Sequence, residues 1–369
     1  MKFDQRLIGA GIAVLMMGSM AQAAVSKADW GKTSDGKPVE IYTLSDADLT
    51  VKITTFGARV VSIETPDKSG KKADVVLGYD NVVAYEADKT TYFGSIVGRY
   101  GNRIAKGTFT IDGNTYHVPL NNNGNALHGG PAGYSSQVWK GKEIPDGVEM
   151  TIVSPDGDMG FPGTLTVHVR YTVEGKSLKI NYSATTTKPT VLNITNHSYF
   201  NLQGNGHGTI LGEELMIPAD RYTPVDPTQI PTGELAPVEG TPFDFRKPVA
   251  IGARIHDANV QLTIGGGYDH NWVLNGAEGS LHVAAKAYDP TSGRTLVETT
   301  TEPGVQFYSG NFLDGTKTGK FGVAYQKYAG FCLETQHFPD SPNHPKFPST
   351  LLKPGETMHS ETVFTFGVR

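Results

Sequence analysis

The chain is 369 residues long, with 32 Lys and Arg against 37 Asp and Glu and a formal net charge of −5. A mild negative balance without a basic stripe speaks against a nucleic-acid surface, which needs clustered cations to displace counterions. The single cysteine, Cys332, allows no internal disulfide, so the fold has to rest on a large apolar core, which a chain of this length can build.

Lys2 and Arg6 bracket the start, an apolar run follows over residues 7–20, and then comes Ala21-Gln22-Ala23. Such a charged start, a stretch too short to span a bilayer, and small residues before a cut read as a secretory signal peptide cleaved after Ala23. Residues 1–23 are therefore set apart from the fold. The mature protein is expected in a periplasm or the medium, with no membrane span after cleavage.

From residue 24 onward the pattern is one of short strands. Residues 39–43, 49–53 and 60–63 are β-branched runs separated by Ser, Asp, Gly and Pro clusters. A short helix is expected near residues 81–89. Residues 108–111 and 114–118 form a hairpin across Asp112-Gly113, a turn that wants positive φ at glycine. Leu165, Val167, Val169, Tyr171 and Val173 alternate with polar residues, and Leu178, Ile180 and Tyr182 alternate back after Glu174-Gly175-Lys176. Residues 281–288 and 294–300 make another hairpin. Dense strands without long helices predict an all-β chain, a large antiparallel β-sandwich. No linker-like shift in composition appears, so residues 24–369 are read as one domain; a break in the proline-rich 218–248 region is the alternative.

Polar residues crowd five places. Residues 191–202, VLNITNHSYFNL, look strand-like yet carry Asn193, Asn196, His197 and Asn201. Asn102 and Arg103 stand in VGRYGNRI, His128 precedes two glycines in ALHGG, and Asp269 lies in GGGYDHNWVL. Glu334 emerges from the apolar run FCLETQH, where a carboxylate next to a core needs a reason. Each has a structural reading, as a cap, a loop anchor or a satisfied polar network. Cys332 reads as a buried inert thiol, Trp139 and Trp272 as core or groove wall, and residues 204–208 as a plain loop. No G-x-S-x-G elbow, H-E-x-x-H or cysteine cluster is present, so neither a serine nucleophile nor a metal site is signalled. What remains is acid–base work on a polyhydroxylated substrate.

LHGG, NHSYFNL, GGYDHNWVL and ETQHFPDSPN, with ADRYTPVDPTQIPTGELAPVEGTPFDFR between them, closely resemble the aldose 1-epimerases, or galactose mutarotases. The likeness runs from about residue 30 to the C-terminus, with Tyr134 a mild departure after LHGG. The resemblance implies a β-sandwich of the galactose mutarotase type with the sugar in an open groove. It implies Glu334 as general base, His197 as general acid and His128 near the ring oxygen. Asp269 and Arg103 would hold hydroxyls, with Asn102 and Gln306 supporting. The implied substrate is a free aldose, and no metal or organic cofactor is implied. The ionisation the reaction needs is Glu334 charged and His197 protonated, favoured by their attraction and opposed by desolvation, and a bell-shaped pH profile is expected. The rival readings are a glycoside hydrolase working with Asp269 and Glu334, and a non-catalytic sugar-binding protein.

Overall fold

The protein, described by a computed structural model over residues 23–277 and 279–369, is built on three antiparallel sheets. The expected signal peptide lies outside the described residues, apart from Ala23. The first sheet joins five consecutive strands between Ala24–Lys32 and Lys72–Asp74. The second has nine strands, with Leu165–Glu174, Ser177–Thr186, Met358–Val368 and Arg294–Thr300 side by side at its centre. The third has six strands and carries Phe331–Gln336, Gly304–Tyr308 and Asp269–Val273 in that order.

Alternation explains the packing. Along Leu165–Glu174 every odd-numbered residue is buried while its neighbours are half-buried or exposed, and the returning strand pairs Val167 with Ala184 and Val169 with Tyr182. Each such side chain removed from water contributes roughly 1.5–3 kcal/mol. The nine- and six-stranded sheets meet face to face: Phe200 lies 5.1 Å from Phe364, and the Thr335 and Thr362 hydroxyls are 2.6 Å apart. The all-β sandwich is as expected, with a third sheet added. Trp139 and Trp272 are both in the core.

Two elements differ from expectation. Residues 191–202 do not form one strand. They break into Thr190–Val191, Thr195–Asn196 and Tyr199–Phe200, each pairing with a different strand. The asparagines take over the backbone bonding in between. Asn193 donates to the carbonyls of Gly101 and His337, and Asn196 to that of Gly94. Side-chain amides thus substitute for ladder bonds while the chain steps from sheet to sheet. The helix Val82–Ala87, capped by Asn81, falls within the expected window, but a second helix, Val260–Gly265, was not signalled. At six residues it is too short to show a period; Asn259 starts it and Gly266, at φ +66°, ends it.

Register in the six-stranded sheet decides where the chemistry sits. Asn271 faces Gln306, and Gln306 faces Glu334; one step along, Asp269 faces Tyr308, which faces Cys332. A period of two puts all six on one side. The opposite side carries Trp272, Phe307 and Leu333 into the core.

Candidate active site

A cavity of about 550 Å³ opens on the polar side of that sheet. Its walls hold six of the seven residues singled out in the sequence: Asn102, Arg103, His128, His197, Asp269 and Glu334. The seventh, Gln306, stands behind Asp269 and donates to its Oδ1 at 2.7 Å.

Local backbone chemistry aims each group. Arg103 and Leu127 pair across a two-residue ladder, so His128 leaves it beside Asn102. The His128 amide donates to the Asn102 carbonyl at 3.0 Å, and the Asn102 amide donates to His128 Nδ1 at 3.1 Å. His128 takes φ +50° and the next residue, Gly129, φ +84°; a Cβ on Gly129 would lie 2.0 Å from the Gly98 carbonyl oxygen. Only glycine permits that approach, which is why LHGG carries its first glycine there.

His197 is held between aromatic rings, stacked on Tyr199 at 5.1 Å and on Tyr92 at 5.8 Å, with His128 edge-on at 5.1 Å. Its Nδ1 lies 3.5 Å from the Cys332 sulfur, and its Nε2 is 3.6 Å from Glu334 Oε1. That gap exceeds a hydrogen bond, so neither group is locked to the other and both can meet a ligand. Glu334 is 2% exposed, and its Oε2 has no partner among the described residues.

Burial dominates the electrostatics here, and of the two opposing influences on the pair desolvation is the larger. Loss of solvent pushes the Glu334 carboxyl well above the usual carboxylate range, Asp269 adding to this and Arg103 opposing it. Burial likewise drives His197 down to about 3, its own carbonyl and the Arg59 charge being smaller influences. His128 is pushed well below its ordinary value, again chiefly by burial. Attraction at 3.6 Å does not offset taking two charges out of water, so burial favours a neutral acid beside a neutral imidazole. The Cys332 thiol is driven up by burial, which keeps it protonated and unreactive.

His128, His197 and Glu334 bring their ligating atoms within 4.8 Å of one another, the one such group among the described residues. The hydrogen bonding suits proton donation better than metal binding. Because His128 Nδ1 accepts a backbone N–H, the neutral ring carries its proton on Nε2. A metal-bound histidine needs the reverse, with the far nitrogen donating.

Gln229, Asn122 and Tyr92 also line the cavity without having been picked out in the sequence. Asn122 Oδ1 accepts from Arg103 Nε at 3.2 Å, and Gln229 bridges Arg103 and Asp269. All three come from loops without periodicity; Gln229 falls within the family-like run 219–246, but nothing local there marks it as a site residue, and the chain's path brings it to the cavity.

A family model described as aldose 1-epimerase matches residues 40–365. The galactose mutarotase of Homo sapiens is 46% identical over 347 residues, covering 94% of this chain and 99% of that one. The chain belongs to the aldose 1-epimerase family. The aldose 1-epimerase of Escherichia coli (strain K12) is 37% identical over 337 residues, covering 90% and 96% of the two chains. A solved galactose 1-epimerase from Lactobacillus acidophilus NCFM superposes with a TM-score of 0.82 at 27% identity, covering 94% of this chain and 99% of that one. This aldose 1-epimerase is therefore an isomerase acting on a free sugar, and its relatives favour neither the hydrolase nor the non-catalytic sugar-binding reading.

Proposed function

We propose that Glu334 and His197 are the acid–base pair that opens and recloses the ring of a free aldose such as galactose or glucose. The observation that carries this is their separation, 3.6 Å across one cavity with His128 beside them and no hydrogen bond joining them. Glu334 takes the proton of the anomeric hydroxyl while His197 Nε2 gives one to the ring oxygen. Rotation about C1–C2 then offers the other face of the aldehyde, and the same two groups return their protons.

The cyclic complex needs Glu334 as carboxylate and His197 as imidazolium; the open-chain complex leaves both neutral. The two states hold the same number of protons, so opening takes none from solvent. Burial that disfavours the ion pair therefore favours the opened sugar, and lowers the barrier to the extent that the transition state has already discharged the pair. His128 donates from Nε2 near the reacting oxygens. Asp269 and Arg103 hold hydroxyls away from the reacting carbon, and Asn102 and Gln306 hold those groups in turn.

Following the optical rotation of freshly dissolved α-galactose, with and without protein, tests this. Faster decay to equilibrium is expected, together with no release of sugar from a glycoside. We also propose that residues 24–369 act as one exported unit. The N-terminal sequence supports export, and the main apolar core, which draws residues of the cleaved chain from Tyr42 to Phe366, supports the single unit. N-terminal sequencing of secreted protein is expected to begin at Ala24. Among the described residues no helix is long and apolar enough to cross a membrane.

A further inference from the structure

Arg103 and Asp269 enclose the same cavity, yet no direct ion pair forms between them among the described residues; Gln229 stands in the way. Its Oε1 accepts from Arg103 Nη2 at 2.6 Å, and its Nε2 donates to Asp269 Oδ2 at 2.7 Å. A primary amide is the neutral side chain suited to this place, since one end accepts from a guanidinium and the other donates to a carboxylate.

The loop that delivers Gln229 is fixed at both ends. Asp226 Oδ1 accepts from the amides of Thr228 and Ile230, and Val225 bridges to Pro231. Gln261 clamps Val225, its Oε1 accepting from the Val225 amide and its Nε2 donating to the Val225 carbonyl, each at 2.8 Å. Asn125 donates to the Thr228 carbonyl at the far end. Gln229 itself is 6% exposed and takes φ +65°, a conformation a non-glycine residue holds only where its surroundings impose it.

We propose that Gln229 is a positioning residue that keeps Arg103 and Asp269 apart, so that each presents its free hydrogen-bonding capacity to the sugar rather than to the other. The proposal rests on the reading of those two as the hydroxyl-holding groups. Without the amide, a buried guanidinium and a buried carboxylate in one cavity are drawn into a direct pair, which uses up the donors and acceptors that the substrate needs. Glu334 and His197 make no hydrogen bond to Gln229, Arg103 or Asp269 and keep their geometry, so binding should suffer before chemistry.

The test is a double-mutant cycle on the full chain with Gln229→Leu and Asp269→Asn, reading KM and kcat from polarimetry. Gln229→Leu is expected to raise KM roughly tenfold or more, the scale of a lost hydrogen bond to a charged group, while kcat falls less. In the Asp269→Asn background the carboxylate that Gln229 holds away from Arg103 is gone, so the same change should alter KM by less than about twofold. An equal KM factor in both backgrounds, or no effect in either, overturns the proposal, because a merely structural residue acts independently of the charge at 269. Should Gln229→Leu fail to fold, Gln229→Met keeps the length and packing of the side chain and serves in its place. Asp269→Asn alone leaving KM unchanged refutes instead the reading of Asp269 as a sugar-holding group.

Discussion

At the scale of single residues, what matters most is how many protons the Glu334–His197 pair carries. In the proposed mechanism the pair works with one proton shared between its members, and activity is expected to be lost when a second enters or the last leaves. Burial places the entry of the second near the shifted His197 value of about 3, and the loss of the last well above the ordinary carboxylate range. The acid limb of kcat/KM is therefore expected near pH 3 rather than at the ordinary histidine value of about 6.5. A limb measured at that ordinary value would show that the imidazole is not desolvated as described. Glu334→Gln keeps the shape but accepts no proton, so kcat should fall by about 10²–10⁴-fold while calorimetry still detects sugar binding. Which residues gather in the cavity was legible, because each sits in a short motif shared with a family. Their protonation was not, because it depends on Tyr92, Tyr199 and the sheet behind them, which come from other parts of the chain.

Elements impose their own limits. The loop after the Ala126–Leu127 strand presents His128 only because Gly129 lets the backbone pass the Gly98 carbonyl. Gly129→Ala sets a methyl 2.0 Å from that oxygen and also strains φ at +84°. The expected result is a loss of about 1–3 kcal/mol in urea unfolding, together with a large fall in kcat/KM as His128 moves. Gly212→Ala, with open space around its Cβ, is the control and should leave both unchanged. Strands with clean alternation, such as Leu165–Glu174, were readable from sequence because burial follows period two directly. The run 191–202 was misread as continuous because its β-branched and aromatic residues match a strand, while its asparagines redirect the backbone through bonds to Gly94, Gly101 and His337. Those partners lie far off in the sequence, so the breaks leave no local mark.

The whole molecule holds several ionisable groups neutral in its interior, and this makes stability depend on pH in two opposite ways. Burial raises Glu213, Glu298 and Glu334 well above their ordinary value, and lowers His128, His197 and His270. For the glutamates, stability is fully present below the unfolded value of about 4.5 and declines as pH rises toward the folded one. For the histidines it is present above about 6.5 and declines as pH falls toward the lowered value. Between these limits the two trends offset one another, and beyond either limit only one acts. Glu298 isolates the alkaline side. It lies on the Arg294–Thr300 strand of the nine-stranded sheet, is 0% exposed, and neither of its oxygens has a hydrogen-bond partner among the described residues. Glu298→Gln keeps the volume and removes the proton that folding must take up. The variant should therefore gain on the natural protein by up to roughly 1.4 kcal/mol per pH unit above about 4.5, until the folded carboxyl ionises. Urea unfolding of both proteins at about pH 5 and about pH 8 measures this. A difference that stays constant between those conditions would mean that Glu298 ionises equally in the folded and unfolded chains, so that the interior does not hold it neutral.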